Sequence, residues 1–272
     1  MAFIRFFDTA MVEALSGENQ EIYQKLLAEI RNGSVFPAVR KDNLDFYFAG
    51  GLLFKLENGK FSRDKNYEKN HNQGTEGMEY YEKCKKQNEN KFVSVFGKPS
   101  ERHVLWRLSS MTYIPNNSKV VVIDVEININ EDNKNKCDML LLNTETAQIM
   151  FVEGKLYQDR RMRGTAATLP PVVVQVCGYT QTIETHQKTI EEQYTRHIEI
   201  VNALFDKKFP TKVSLVLPAK LIVYSHAEEN PVRAKSTKII NEKIGTNNIM
   251  WNFENNFTGI SPSLEEIWDA LI

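Results

Sequence analysis

The chain has 272 residues, 42% of them hydrophobic, which is enough to enclose a sizeable core in one large domain or two modest ones. Its 34 Lys and Arg against 35 Asp and Glu leave a net charge of −1, so no global charge draws it to a polyanion and any nucleic-acid affinity must come from local basic patches. Three cysteines with no CxxC pair suggest neither a disulfide framework nor a structural zinc site and fit a reducing, cytoplasmic setting, while no run reaches the roughly 18 apolar residues of a membrane span. The start, "MAFIRFFDTAMVEALSG", lacks the pattern of a secretory signal, so a soluble protein without a membrane partner is expected.

Leu15, Ile22, Leu26, Leu27 and Ile30 recur at helical spacing, which predicts a helix from about Ala10 to Ile30, stopped by Asn32 and Gly33. From Val35 the texture changes to short apolar runs, "VFPAV", "LDFYFAGGLLFKL" and "FSRD", with Gly50-Gly51 and Asn58-Gly59 as hairpin turn signals. A small antiparallel meander follows from that pattern. The Lys-, Asn- and Glu-rich stretch from Ser62 to Lys91 is read as a long exposed connection with a helical piece around Tyr80. The expected division is an accessory region over residues 1–95 and the main domain over 96–272.

After Pro99 the order of elements becomes informative. Val104, Leu105 and Leu108 share one helical side behind a Ser100 N-cap. "KVVVIDVEINI" reads as a β-branched strand, and "CDMLLL" and "AQIMFVEGK" read as two more around an "NTET" turn. A basic loop, "DRRMRG", leads to a helix opening at Pro170-Pro171, which continues or restarts through Ile190, Tyr194, Ile198, Val201 and Phe205. "VSLVLP" and "KLIVYS" supply further strands, and "SPSLEEIWDALI" closes as a short capped helix. The core order is helix, three strands, helix, strand, an α/β fold with a mixed sheet that begins antiparallel.

Charge at the strand ends carries the chemistry. Side chains two apart share a strand face, so Glu153 and Lys155 point the same way, and an antiparallel hairpin brings Asp138 beside them. Two carboxylates in one place repel unless a lysine or a divalent cation offsets them. Oxygen donors favour Mg2+ or Mn2+, which bind phosphate oxygens and assist phosphodiester hydrolysis. The competing reading is that these residues are merely solvated strand ends.

Asp138 followed by Glu153-Gly154-Lys155 after a strand turn resembles the catalytic signature of the PD-(D/E)XK nuclease superfamily, with Cys137 where that motif has Pro. The resemblance spans about Pro99 to Ser225 and implies a restriction-endonuclease-like core. It further implies Asp138, Glu153 and the Gly154 carbonyl as metal ligands and Lys155 as the group that orients water or stabilises developing phosphorane charge. Glu101 matches the family's extra acid on the preceding helix. Gln175 and Tyr179, at i and i+4, are similar to the Q-x-x-x-Y element of RecB-like and lambda-exonuclease-like members, where the pair helps position DNA.

Other residues stay open. Glu101 equally suits the positive end of its helix, and Glu126, two residues after Asp124, competes with it as the extra acid. Arg160, Arg161 and Arg163 are candidate phosphate contacts or a solvated loop. His103, His186 and His197 lack ligand spacing, and no Gly-rich phosphate loop is present. The expected function is Mg2+- or Mn2+-dependent hydrolysis of nucleic acid, DNA before RNA, in restriction, repair or defence. A homodimer is one assembly to test. The alternatives are an inactive nuclease-like binding module and a hydrolase of small phosphoesters.

Overall fold

A computed structural model describes residues 20–62, 78–92, 106, 108–109, 111–114, 118–129, 136–164, 168–224, 231–252 and 262–272. Within these the chain forms two compact units. One comprises residues 118–192 and 212–272; the other comprises the described residues before 118 together with 193–211.

In the second of these units, α1 (Gln20–Arg31) buries Ile22, Leu26 and Ile30 at four-residue spacing. It ends where Gly33, at φ 78°, turns the chain back so that the Ser34 N–H reaches the Glu29 carbonyl at 2.8 Å. The strands β1 (Val35–Val39), β2 (Asn43–Phe48), β3 (Gly51–Glu57) and β4 (Lys60–Ser62) pair as an antiparallel meander. Ala49 and Gly50, and again Asn58 and Gly59, take positive φ, the backbone that two-residue hairpin turns demand.

The stretch expected as an exposed connection with a helical piece around Tyr80 contains a fifteen-residue helix, α2 (Met78–Phe92), one face of which is buried. Tyr81, Cys84 and Asn88 form its buried stripe, and α2 packs on β3. Asn88 donates to the carbonyls of Phe48, Gly51 and Leu52, and the Glu29 carboxylate is held by the Tyr81 hydroxyl and, at 2.7 Å, by Lys85. The stripe is short and partly polar, so its helical period is diluted by the charged residues around it.

The other unit is α/β. Its sheet runs β5 (Val120–Asn128), β6 (Lys136–Asn143), β7 (Gln148–Leu156), β8 (Ser214–Tyr224) and β9 (Ile249–Trp251) in sequence order. The first three strands are antiparallel, whereas β8 and β9 add in parallel. At the β6–β7 turn, Asn143 Oδ1 accepts the N–H groups of Glu145 and Thr146 at 3.0 Å, the side-chain turn that Asn favours.

A parallel neighbour needs a crossover, and α3 (Pro171–Thr185) followed by α4 (Gln187–Phe205) supplies it. Pro171 occupies the first turn of α3, where a missing N–H costs nothing. Val172, Val176, Tyr179 and Ile183 form the stripe of α3, which packs along β8. The segments expected as two strands are a single β8, accommodated by a register shift against β7 between Met150 and Val152. Pro218 lies in the shifted stretch, where its lack of an N–H breaks no regular ladder bond. The chain continues through α5 (Pro231–Ile244) to β9 and α6 (Leu264–Leu271), which opens with a Ser263–Glu266 capping box and packs against β5 and β9.

Candidate functional site

Strands buried on both faces read as continuous apolar runs, and the centre of β7, "IMFVEGK", is buried throughout. Glu153 and Lys155 therefore do not emerge into solvent. Glu153 is 1% exposed and Lys155 is fully buried, which overturns the reading of solvated strand ends. Buried charges persist only when paired. Lys155 Nζ contacts Glu153 Oε1, donates to the Gly154 carbonyl at 2.7 Å and lies 3.5 Å from Asp138 Oδ2.

Asp138 belongs to β6, beyond the last registered β6–β7 pair, Met139 and Val152. There its Oδ2 accepts the Gly154 N–H at 2.8 Å, so a side chain continues the cross-strand bonding where the ladder has stopped. The hairpin thus brings Asp138, Glu153, Gly154 and Lys155 together.

From α3, Gln175 Nε2 donates to Glu153 Oε1 and to the Tyr179 hydroxyl, both at 2.7 Å. Tyr179 is wholly buried. Burial first, then the Glu153 carboxylate, pushes its phenol far above the usual range, so it stays protonated. The Gln–Tyr pair consequently reaches the carboxylate directly, and Tyr179 offers no surface to a large ligand. Cys137 is also buried, and its thiol donates to the Val152 carbonyl at 3.4 Å. Burial, reinforced by Glu153 and Asp138, raises the Cys137 thiol, which keeps it a neutral neighbour and not a thiolate ligand.

The basic loop after β7 divides. Arg161 forks onto Asp159 with contacts of 2.6–3.1 Å, and Asp159 also caps the short 3-10 turn by accepting the Arg161 N–H at 2.7 Å. Burial alone would raise the Asp159 carboxyl, but the Arg161 bonds outweigh it and hold the group below the usual range. Arg160 and Arg163 are exposed, with Arg163 Nη2 reaching the Gln158 carbonyl at 3.3 Å. The Asp159–Arg161 clasp was not expected from the sequence, although the Asp-x-Arg spacing signals it.

Glu101 and His103 lie outside the described residues. Glu126 adopts φ 51°, is partly exposed and stands 4.0 Å from Lys136 Nζ. Asp124 is fully buried, and its register through Leu140 to Phe151 puts it on the sheet face of Glu153. Its Oδ1 accepts the Val125 N–H at 2.9 Å. Lys220 is buried too, but it registers with Val152 and so takes the opposite face, where its Nζ donates to Asn248 at 2.7 Å. His197 packs against the Tyr194 ring in α4.

Among the described residues, no group of three or more His, Cys, Asp and Glu side chains stands ready to hold a metal. The donors that converge are two carboxylates and the Gly154 carbonyl, all hard oxygens, a set that suits Mg2+ or Mn2+ and does not suit zinc. The Lys155 ammonium sits among those same oxygens. No described helix is long and apolar enough to cross a membrane. No family model, curated protein or solved structure matches the chain.

Proposed function

We propose that the chain is a divalent-metal-dependent nuclease of the PD-(D/E)XK type, acting on DNA. One observation carries this reading: a buried lysine lies among Glu153, the Gly154 carbonyl and Asp138, at the end of a β-hairpin where those oxygens converge. The order of three antiparallel strands, a helical crossover and a parallel strand supports a restriction-endonuclease-like core.

Asp138, Glu153 and the Gly154 carbonyl would hold Mg2+ or Mn2+, which when bound supplies Lewis acidity and favours hydroxide over water. Gln175 fixes the Glu153 carboxylate, and Tyr179 fixes Gln175. Lys155 places one positive charge where phosphate oxygens would gain negative charge. Arg160 and Arg163 are the exposed cations of the loop directly after β7 and would bind flanking phosphates.

A second reading, an inactive nuclease-like module that binds nucleic acid or a partner, is favoured by the internal pairing of Glu153 with Lys155 and Gln175. Incubation with linear and circular DNA, with and without Mg2+, separates the two. Mg2+-dependent cutting that Asp138→Asn abolishes is the expected result, and cutting of circles identifies an endonuclease. DNA left intact by wild type at every Mg2+ and Mn2+ concentration would sink the nuclease reading in favour of the binding module.

A further inference from the structure

We propose that Lys155 is an internal competitor for the divalent cation, so that this lysine sets the metal concentration at which the site becomes loaded. The inference rests on the reading that Asp138 and Glu153 are metal ligands. Its basis is the coincidence of two oxygen sets: Lys155 Nζ contacts Glu153 Oε1, Gly154 O and Asp138 Oδ2, and these are the donors a metal would use.

An ammonium and a dication cannot share those oxygens at close range in a dry site without strong repulsion. Both Glu153 and Lys155 are essentially removed from solvent, so water does little to screen that repulsion. Without metal, Lys155 balances the carboxylates and keeps buried Glu153 and part-buried Asp138 from standing uncompensated. When a cation arrives, Nζ must withdraw from at least some of its three acceptors. Gln175 is neutral and bonds Glu153 Oε1 separately, so the carboxylate keeps its orientation through the exchange. Lys155 is thereby a counter-ion in the metal-free state, and only after displacement is its charge available to a phosphate.

Calorimetric titration of Mn2+ into the full chain tests this. Lys155→Met, which keeps length and removes charge, is expected to bind Mn2+ about ten-fold tighter or more than wild type, while Lys155→Arg binds no tighter. Asp138→Asn is expected to lose the site. Mn2+ binding by Lys155→Met that equals or falls below wild type, with the site still lost in Asp138→Asn, would overturn the competition and leave the metal reading standing. Absence of any Asp138-dependent Mn2+ binding in wild type and Lys155→Met alike would overturn both. Should Lys155→Met fail to fold, wild type labelled with 15N in lysine decides the matter: Mg2+ is expected to shift the Lys155 Nζ resonance, and a resonance unmoved at saturation overturns the competition.

Discussion

Asp138 and Gly154, sixteen residues apart, are joined by a 2.8 Å hydrogen bond from the Gly154 N–H to Asp138 Oδ2, just past the point where the β6–β7 ladder stops. One carboxylate thus closes the hairpin and faces Lys155, with Nζ at 3.5 Å from the same oxygen. Structure and candidate chemistry are coupled at that atom.

The two roles separate by substitution. Asn keeps an acceptor for the Gly154 N–H and Ala does not, so Asp138→Ala is expected to cost about 1–2 kcal/mol more stability than Asp138→Asn. On the proposed metal reading, both variants are expected to lose Mn2+ binding. Urea denaturation alongside calorimetry checks this, and equal stabilities would show that the bond contributes nothing to the fold.

Gln175 bonds Glu153 Oε1 and Tyr179 together. Removal by Gln175→Ala is expected to lower Mg2+-dependent cleavage about ten-fold at limiting metal and to be largely recovered at high Mg2+, the pattern of a positioning residue whose loss mislocates a ligand by a fraction of an ångström. Initial rates across a Mg2+ series measure it. A loss independent of metal concentration would place Gln175 in a different role.

Arg160 and Arg163 are exposed while Arg161 is spent on Asp159. Replacing Arg160 or Arg163 by Ala is expected to weaken DNA binding and to reduce the salt slope by about 0.9 for each phosphate that is no longer neutralised. Arg161→Ala should instead lower thermal stability with little change of slope. Fluorescence anisotropy at several salt concentrations distinguishes the three, and an Arg161 effect on the slope as large as the others would contradict the assignment.

Glu265, in the first turn of α6, accepts the Ser118 hydroxyl and, at 3.0 Å, the Lys119 N–H. Burial pushes its carboxyl up, but the Ser118 bond and backbone N–H groups outweigh burial and hold it below the usual range. A lowered folded pKa contributes stability that is full above the ordinary carboxylate value of ~4.3 and disappears as pH falls through the folded value. Glu265→Gln is expected to cost about 1 kcal/mol at neutral pH and progressively less in acid. Denaturation at pH 7 and at pH 3 measures the difference, which should shrink on acidification.

Much of the sheet was legible because its signals are local. Paired positive-φ turns at Gly50 and Gly59, the Asn143 turn and the β-branched run of β5 each act within a few residues of chain. A helical piece around Tyr80 was legible in α2 but its burial was not, because its stripe of Tyr81, Cys84 and Asn88 makes sense only against Glu29 and the carbonyls of the β2–β3 turn, 36–52 residues away. The Arg161 clasp is a local signal too, but arginines at 160, 161 and 163 read equally well as one basic patch, and only the fold shows that Arg161 has a partner of its own.

By itself, the sequence determined which residues share a strand face and which helix face carries Gln175 and Tyr179, for these follow from the two-residue and 3.6-residue periods of the backbone. Periodicity specifies direction but not depth. Only the tertiary structure decided that Glu153 and Lys155 are buried, that Gln175 grips Glu153, and that the lysine ammonium rests among Glu153 Oε1, the Gly154 carbonyl and Asp138 Oδ2. Those outcomes depend on a sheet covered on both faces and on a crossover helix laid along β8, where the low dielectric leaves a charged group no stable choice except a charged or hydrogen-bonding partner.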